Sequence, residues 1–229
     1  MKVLSVDNTL LAVQKVLEKV PSVCFLKNHN VVVLINYNFN KKIVKDVEIW
    51  FPRNFMMDTL NCIKNKKSNF MFLNILLKNK SGGHGNCLIF KYKNKNTIEI
   101  ERYEPLGTNV FYNVVDSYLK KILATLFKEY DINIVYYTPL NFCPIIGAQK
   151  HAKDNQLCVI FSAIYIYDRL INPKLSRKKI ANLYTKTDGK ILLKQIKDFK
   201  KFLISKIENV DMKIQKSQFL FKDYDIFSC

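Results

Sequence analysis

Several things this chain lacks narrow its possibilities. No apolar run reaches the roughly 18 residues needed to cross a membrane. The first residues, Met1 to Leu11, have no basic segment followed by a long apolar one, which argues against a secretory signal. There is no internal repeat and no long linker. Six cysteines are present but none forms a close C-x-x-C pair, so a zinc knuckle has no support. Without a secretion signal, free thiols in a reducing compartment are expected. Histidine occurs only three times, at 29, 84 and 151. Alanine, glycine and arginine are scarce, while lysine and asparagine abound, a bias an AT-rich genome imposes.

What remains is an ordinary globular composition with an unusual charge. Of 229 residues, 48% are hydrophobic and 24% charged, enough to bury a core in one large domain. The formal net charge is +18. Such an excess attracts polyanions, above all nucleic acid, or an acidic partner. Genome bias alone could also produce it.

The periodicities alternate between helix and strand. Residues 7–20 read as an amphipathic helix. Runs 22–26, 31–37 and 47–51 read as short strands, 61–69 as a loop or short helix, and 70–77 as a buried strand. Residues 86–92 and 97–104 form two apolar-rich arms of a hairpin. A long helix is expected over 111–130 and a buried strand over 133–137. A helix from Asp154 or Asn155 to about Ile171 is apolar nearly all round, hence central. Two basic helices, near 176–185 and 190–210, precede a tail in which Phe219, Phe221, Tyr224 and Phe227 can dock back. The fold class is α+β: an antiparallel-rich central sheet flanked by helices. One domain, 1–229, is expected, with its core at about 70–173 and a basic helical extension at about 174–229.

Among the histidines, His29 and His151 sit in polar turns and read as solvated. His84 follows Gly82-Gly83 and enters a strand, a good position for a cleft. With the turn centred on Asn94, Phe90 faces Ile98, Leu88 faces Ile100, Asn86 faces Arg102, and His84 faces Glu104. That register keeps the apolar side chains on one face, whereas placing Glu101 opposite His84 spoils it. A carboxylate beside His84 would hold one tautomer and favour the imidazolium. The plain alternative is a surface cross-strand pair of small worth.

Cys158 begins the apolar helix. A thiol in a first turn meets the positive helix end and unpaired amides, which lower its pKa. Nucleophile, base and orienting acid are then all present. The Cys158 amide and a side-chain amide, from Gln149 or Gln156, can hold an oxyanion.

The run His84-Gly85-Asn86-Cys87, then Arg102-Tyr103-Glu104-Pro105-Leu106-Gly107, resembles the adenovirus maturation protease (adenain). The order His84, Glu104, Gln149, Cys158 is also that of the SUMO-specific proteases. The motifs H-x-N-x-L-I, R-[FY]-E-P-x-G, C-P-x-x-G-x-Q and R-L-x-N-P are similar to those in uncharacterised proteins of large DNA viruses. The resemblance covers about residues 70–173. It implies an adenain-like fold with Cys158 at the N-terminus of a central buried helix. It also implies peptide or isopeptide hydrolysis, Glu104 as the acid and Gln149 as the oxyanion donor. No cofactor or metal is implied. The substrate would be a viral structural polyprotein or a ubiquitin-like conjugate, met in the host cytoplasm or virion. The chain departs from the pattern in three places: Gly85 replaces a Trp, Val159 replaces a Gly, and the Gln-to-Cys spacing is longer. An inactive protein of this fold that binds nucleic acid or another protein is the alternative.

Overall fold

A computed structural model of the chain describes residues 6–26, 30–38, 43–64, 69–79, 82–108, 111–154, 156–207 and 224–228. His29, Asn155, Phe219 and Phe221 lie outside them. The architecture is mixed α+β. Eight strands form one sheet in the order β7-β6-β5-β4-β2-β3-β8, with β1 also paired to β4. The strands are β1 (Val23–Cys24), β2 (Asn30–Asn38), β3 (Ile43–Pro52), β4 (Phe70–Asn79), β5 (Gly82–Asn94), β6 (Thr97–Tyr103), β7 (Asn133–Tyr137) and β8 (Tyr224–Ser228). The pairs β1–β4, β2–β4 and β6–β7 are parallel; the others are antiparallel.

Alternation along the central strands feeds two separate cores, one on each face of the sheet. Cys87 and Ile89 of β5 point into the first core, Leu88 and Phe90 into the second. The first core is closed by α1 (Val6–Leu17), α6 (Cys158–Ile171), α7 (Arg177–Lys186) and α8 (Gly189–Ile207). The second is closed by α2 (Phe55–Lys64) and α3 (Val115–Lys128). Strand β5 is therefore buried on both sides over residues 87–90, and its side chains there are apolar on both. The C-terminal helices contribute Ile180, Tyr184, Leu192, Ile196 and Leu203 to the core that α1 and α6 share. Among the described residues no helix is long and apolar enough to cross a membrane.

Three expectations need correction. Helix α2 begins at Phe55, well before the polar stretch that pointed to it. The strand holding His84 begins before that residue: Gly82 and Gly83 already pair with Asn79 and Lys78 as the first residues of β5. The β5–β6 hairpin is offset by two residues, pairing Phe90 with Ile100, Tyr92 with Ile98 and Leu88 with Arg102. Its turn is a two-residue link, Lys95-Asn96, tightened by the Asn96 amide donating to Asn94 Oδ1 at 3.0 Å. A two-residue offset leaves every side chain on its original face, so the apolar pattern cannot distinguish the two registers.

Cys24 and Cys62 form a disulfide, with Cα atoms 5.7 Å apart. It joins β1 to α2 across 38 residues, a pairing that spacing alone cannot predict, and it replaces the free thiols expected for those two residues.

Candidate active site

The site lies where β5 begins, β6 ends and α6 starts. Cys158 is the first residue of α6, with Leu157 as the N-cap. Asp154 Oδ1 accepts the amides of Gln156 and Leu157 at 2.8 and 2.7 Å, fixing the turn that delivers Cys158. The helix thus starts later than Asp154, and Cys158 stands at its positive end. Behind it, Phe161, Ala163, Tyr165 and Ile166 are fully buried and anchor the helix in the first core. Phe161 and Ile166 contribute about 1.5–3 kcal/mol each.

His84 reaches the same point from β5. Its Nε2 lies 2.6 Å from Glu104 Oε1, and the imidazole and the Cys158 thiol shift each other's titration. With Nε2 engaged by Glu104, Nδ1 is the nitrogen left for the thiol. The Gly85 amide donates to Cys158 Sγ at 3.3 Å. The Tyr112 ring stacks on the imidazole, with centroids 4.7 Å apart and planes 22° apart.

Glu104 is fully buried, and its carboxylate is saturated with donors. Oε1 receives His84 and the Leu106 amide at 3.0 Å. Oε2 receives Asn86 Nδ2 at 3.1 Å and Arg102 Nη1 at 3.2 Å. Arg102 is itself fully buried. It grips Asp116 of α3 through Nε at 2.8 Å and Nη2 at 2.9 Å, and also donates to Asn86 Oδ1 and Asn113 Oδ1. Tyr136 donates to Asp116 at 2.9 Å. A buried charge is tolerated only when paired and hydrogen-bonded, and this chain of partners meets that condition.

These contacts set the protonation states. Burial pulls the His84 imidazole down, but hydrogen bonds to Cys158 and Glu104, with their charges, outweigh it and push it up to about 9. Burial pushes the Cys158 thiol up, yet the hydrogen bond and charge of His84, with the Gly85 and Val159 amides, bring it below its ordinary value. Burial raises Glu104 as well, and His84, Arg102 and the Leu106 amide together hold it below the usual carboxylate range. Among the described residues the other free thiols go the other way: burial drives Cys87 well up and Cys143 to about 12.

The loop after β6 and the loop before α6 are fastened back to back. The Gly147 amide donates to Leu106 O at 3.0 Å, Gln149 N to Pro105 O at 2.9 Å, and Thr108 N to Pro144 O at 3.1 Å. The approach is so close that a Cβ on Gly107 would lie 2.4 Å from Gly147 N, and one on Gly147 would lie 2.3 Å from Gly107 N. Gly107 also has φ +97°, which side-chain-bearing residues rarely adopt. The motif glycines at 107 and 147 therefore tie the Glu104 loop to the Gln149 loop. Gln149, in the one-turn helix α5 (Ala148–His151), is buried, and its Oε1 has no hydrogen-bond partner. Gln156, the other amide candidate, is exposed.

Glu101 is elsewhere. It lies on the opposite face, held by Tyr165, Arg169 and Arg177 at 2.9 Å each. His151 is half-buried rather than solvated, and its Nε2 is 2.7 Å from Thr187 O. Asn86 and Arg102 lay within the sequence motifs with no role assigned to them. Asp116 and Tyr112 had no signal at all, since both arrive from the helical segment after β6. Among the described residues, no group of three or more His, Cys, Asp and Glu side chains could hold a metal ion.

No protein-family model matches the chain, and neither does any curated protein. Three solved structures are similar at low identity. The central domain of the uncharacterized Lpg1148 protein of Legionella pneumophila is 13% identical, with a TM-score of 0.41 over 89% of this chain and 99% of that one. The Legionella pneumophila effector protein RavZ is 9% identical, with a TM-score of 0.43 over 79% of this chain and 55% of that one. A de-sumoylating protease is 14% identical, with a TM-score of 0.42 over 88% of this chain and 80% of that one. Likenesses this loose establish neither a shared activity nor a shared site.

Proposed function

We propose that the chain is a thiol-dependent peptidase or isopeptidase acting on a protein substrate, with Cys158 as nucleophile and His84 as base. The observation that carries this reading is the position of His84, 2.6 Å from the buried carboxylate of Glu104 and on the strand whose Gly85 amide donates to Cys158 Sγ at 3.3 Å. The Cys158 thiolate attacks the acyl carbon, and a carbon–sulfur bond forms. The oxyanion is held by the Cys158 amide and the Gln149 side-chain amide. His84 gives its proton to the leaving amine as the carbon–nitrogen bond breaks. Water, deprotonated by His84, then hydrolyses the thioester and frees the thiol. Glu104 stabilises the imidazolium and fixes the ring, and itself gains no proton. The sequence resemblance points to a viral structural polyprotein or a ubiquitin-like conjugate as substrate.

A thiol-directed vinyl sulfone tests the reading. Cys158 should label far faster than Cys87 or Cys143, and Cys158→Ala should abolish hydrolysis. Labelling of Cys158 no faster than of Cys143, together with activity that survives Cys158→Ala, would refute it. A second reading, a polyanion-binding protein on this fold, is favoured by the +18 charge and the exposed lysines 190, 194 and 197 of α8. It predicts oligonucleotide binding whose log affinity falls linearly with log salt.

A further inference from the structure

At the far end of α6 lies a cavity of about 410 Å³ whose lining includes Lys91, Arg169, Lys174, Ser176, Arg177 and Lys178, and no acidic residue. The volume falls within the range of small-ligand sites. Two carboxylates sit behind the two arginines rather than in the cavity. Glu101 bonds Arg169 and Arg177, and Glu99 bonds Arg177 at 2.8 Å. Arg177 is further fixed over the Tyr137 ring, its guanidinium carbon 3.4 Å from the centroid. The guanidinium groups are therefore pre-positioned and lose little freedom when a ligand arrives.

The lysines differ. Lys174 and Lys178 are exposed. Neither they nor Lys91 belong to the ion pairs seen among the described residues. Helix α7 opens toward the same cavity. Ser176 caps it by accepting the Lys179 amide, and the first helical bond runs from Ile180 N to Ser176 O. The amides of Arg177 and Lys178 precede that bond and carry the positive end of the helix. A pocket with fixed arginines, exposed lysines and the first-turn amides of a helix has the donor set that phosphate oxygens require.

We propose that this cavity binds the phosphoryl group of a small phosphate or phosphomonoester ligand. Arg169 is the twelfth residue of the helix that Cys158 begins, so the site lies about 16 Å from the thiol at 1.5 Å per residue. It is a separate site and stands whether or not the chain is a peptidase.

The test is calorimetric titration of the full chain at fixed ionic strength with inorganic phosphate, pyrophosphate, AMP and a duplex oligonucleotide. The expected result is saturable one-to-one binding of phosphate or AMP. Lys174→Ala/Lys178→Ala should weaken it at least tenfold, while Lys120→Ala/Lys121→Ala on α3 should leave it unchanged. Tighter binding of AMP would identify an ester as the source, and tighter binding of phosphate or pyrophosphate a free anion. The proposal is overturned by absence of saturable binding, by equal weakening in the α3 pair, or by binding of the oligonucleotide alone. All four substituted lysines are exposed, so loss of folding does not confuse the comparison.

Discussion

A Cβ placed on Gly85 would lie 2.7 Å from Cγ2 of Val159. These are the residues that follow the candidate base and the candidate nucleophile. They are also two of the places where the chain departs from the adenain-like pattern, which has a Trp and a Gly there. The two departures are reciprocal: the side chain missing from β5 makes room for the one present on α6. Gly85 also donates its amide to the Cys158 sulfur, so the close approach serves the thiol directly.

Gly85→Ala should therefore force β5 and α6 apart. Overpacking of this kind costs about 1–3 kcal/mol. Chemical denaturation should show that loss, and Cys158 alkylation should slow as the amide leaves the sulfur. Val159→Ala removes the colliding methyl group, so Gly85→Ala/Val159→Ala should recover most of the stability. Additive losses in the double variant would show that the two residues do not share this space.

The pH dependence follows from the directions of the shifts. His84 is raised from 6.5 to about 9, so its share of stability is fully present below 6.5 and is lost as pH rises through about 9. Cys158 is lowered from 9.0, so its share is present above 9.0 and is lost as pH falls through the lowered value. The thiolate–imidazolium pair thus occupies the window between the lowered thiol value and about 9. Iodoacetamide should alkylate Cys158 efficiently below pH 9, and turnover should fall on an alkaline limb near 9. His84→Ala should move the alkylation midpoint upward, and Glu104→Gln should move the alkaline limb to lower pH. A wild-type midpoint at or above 9 would rule out the pairing.

Arg102 holds the acid in place from behind. Arg102→Met would leave Glu104 and Asp116 buried without their shared cation. Removing one partner of a buried ion pair costs about 3–5 kcal/mol. Urea denaturation should report a loss of that size, and the loss should deepen as pH rises through the carboxylate range. A change below 1 kcal/mol would mean that the network is not the anchor.

Gln149 carries a different signature. Its buried Oε1 has no partner, so the folded protein gains no hydrogen bond from it. Gln149→Ala should leave the thermal midpoint nearly unchanged while lowering kcat about a hundredfold to a thousandfold, as loss of an oxyanion donor does. A large stability loss with unchanged kcat would assign the residue to packing instead.

The His84–Glu104 contact was legible in the sequence although the register behind it was not. Side-chain alternation fixes which face a residue takes, and both registers place His84, Asn86, Arg102 and Glu104 on the same face. The observed offset sets Glu104 beside Asn86 and leaves His84 to reach it diagonally, which a glutamate is long enough to allow. Helix patterning likewise located Cys158 at the head of a buried helix, because an all-round apolar segment has no solvent face to offer.

The sequence by itself determined the burial of β4, the apolar α6 and the chain order of the site residues, since these depend on local periodicity and composition. The tertiary structure alone decided the rest. It brought Asp116 of α3 to Arg102, Tyr112 onto His84, Cys24 to Cys62 and the Gly85 amide to the Cys158 sulfur. Each of these joins segments whose spacing along the chain carries no energy of its own. Only the packing of helices against the two faces of one sheet makes them neighbours.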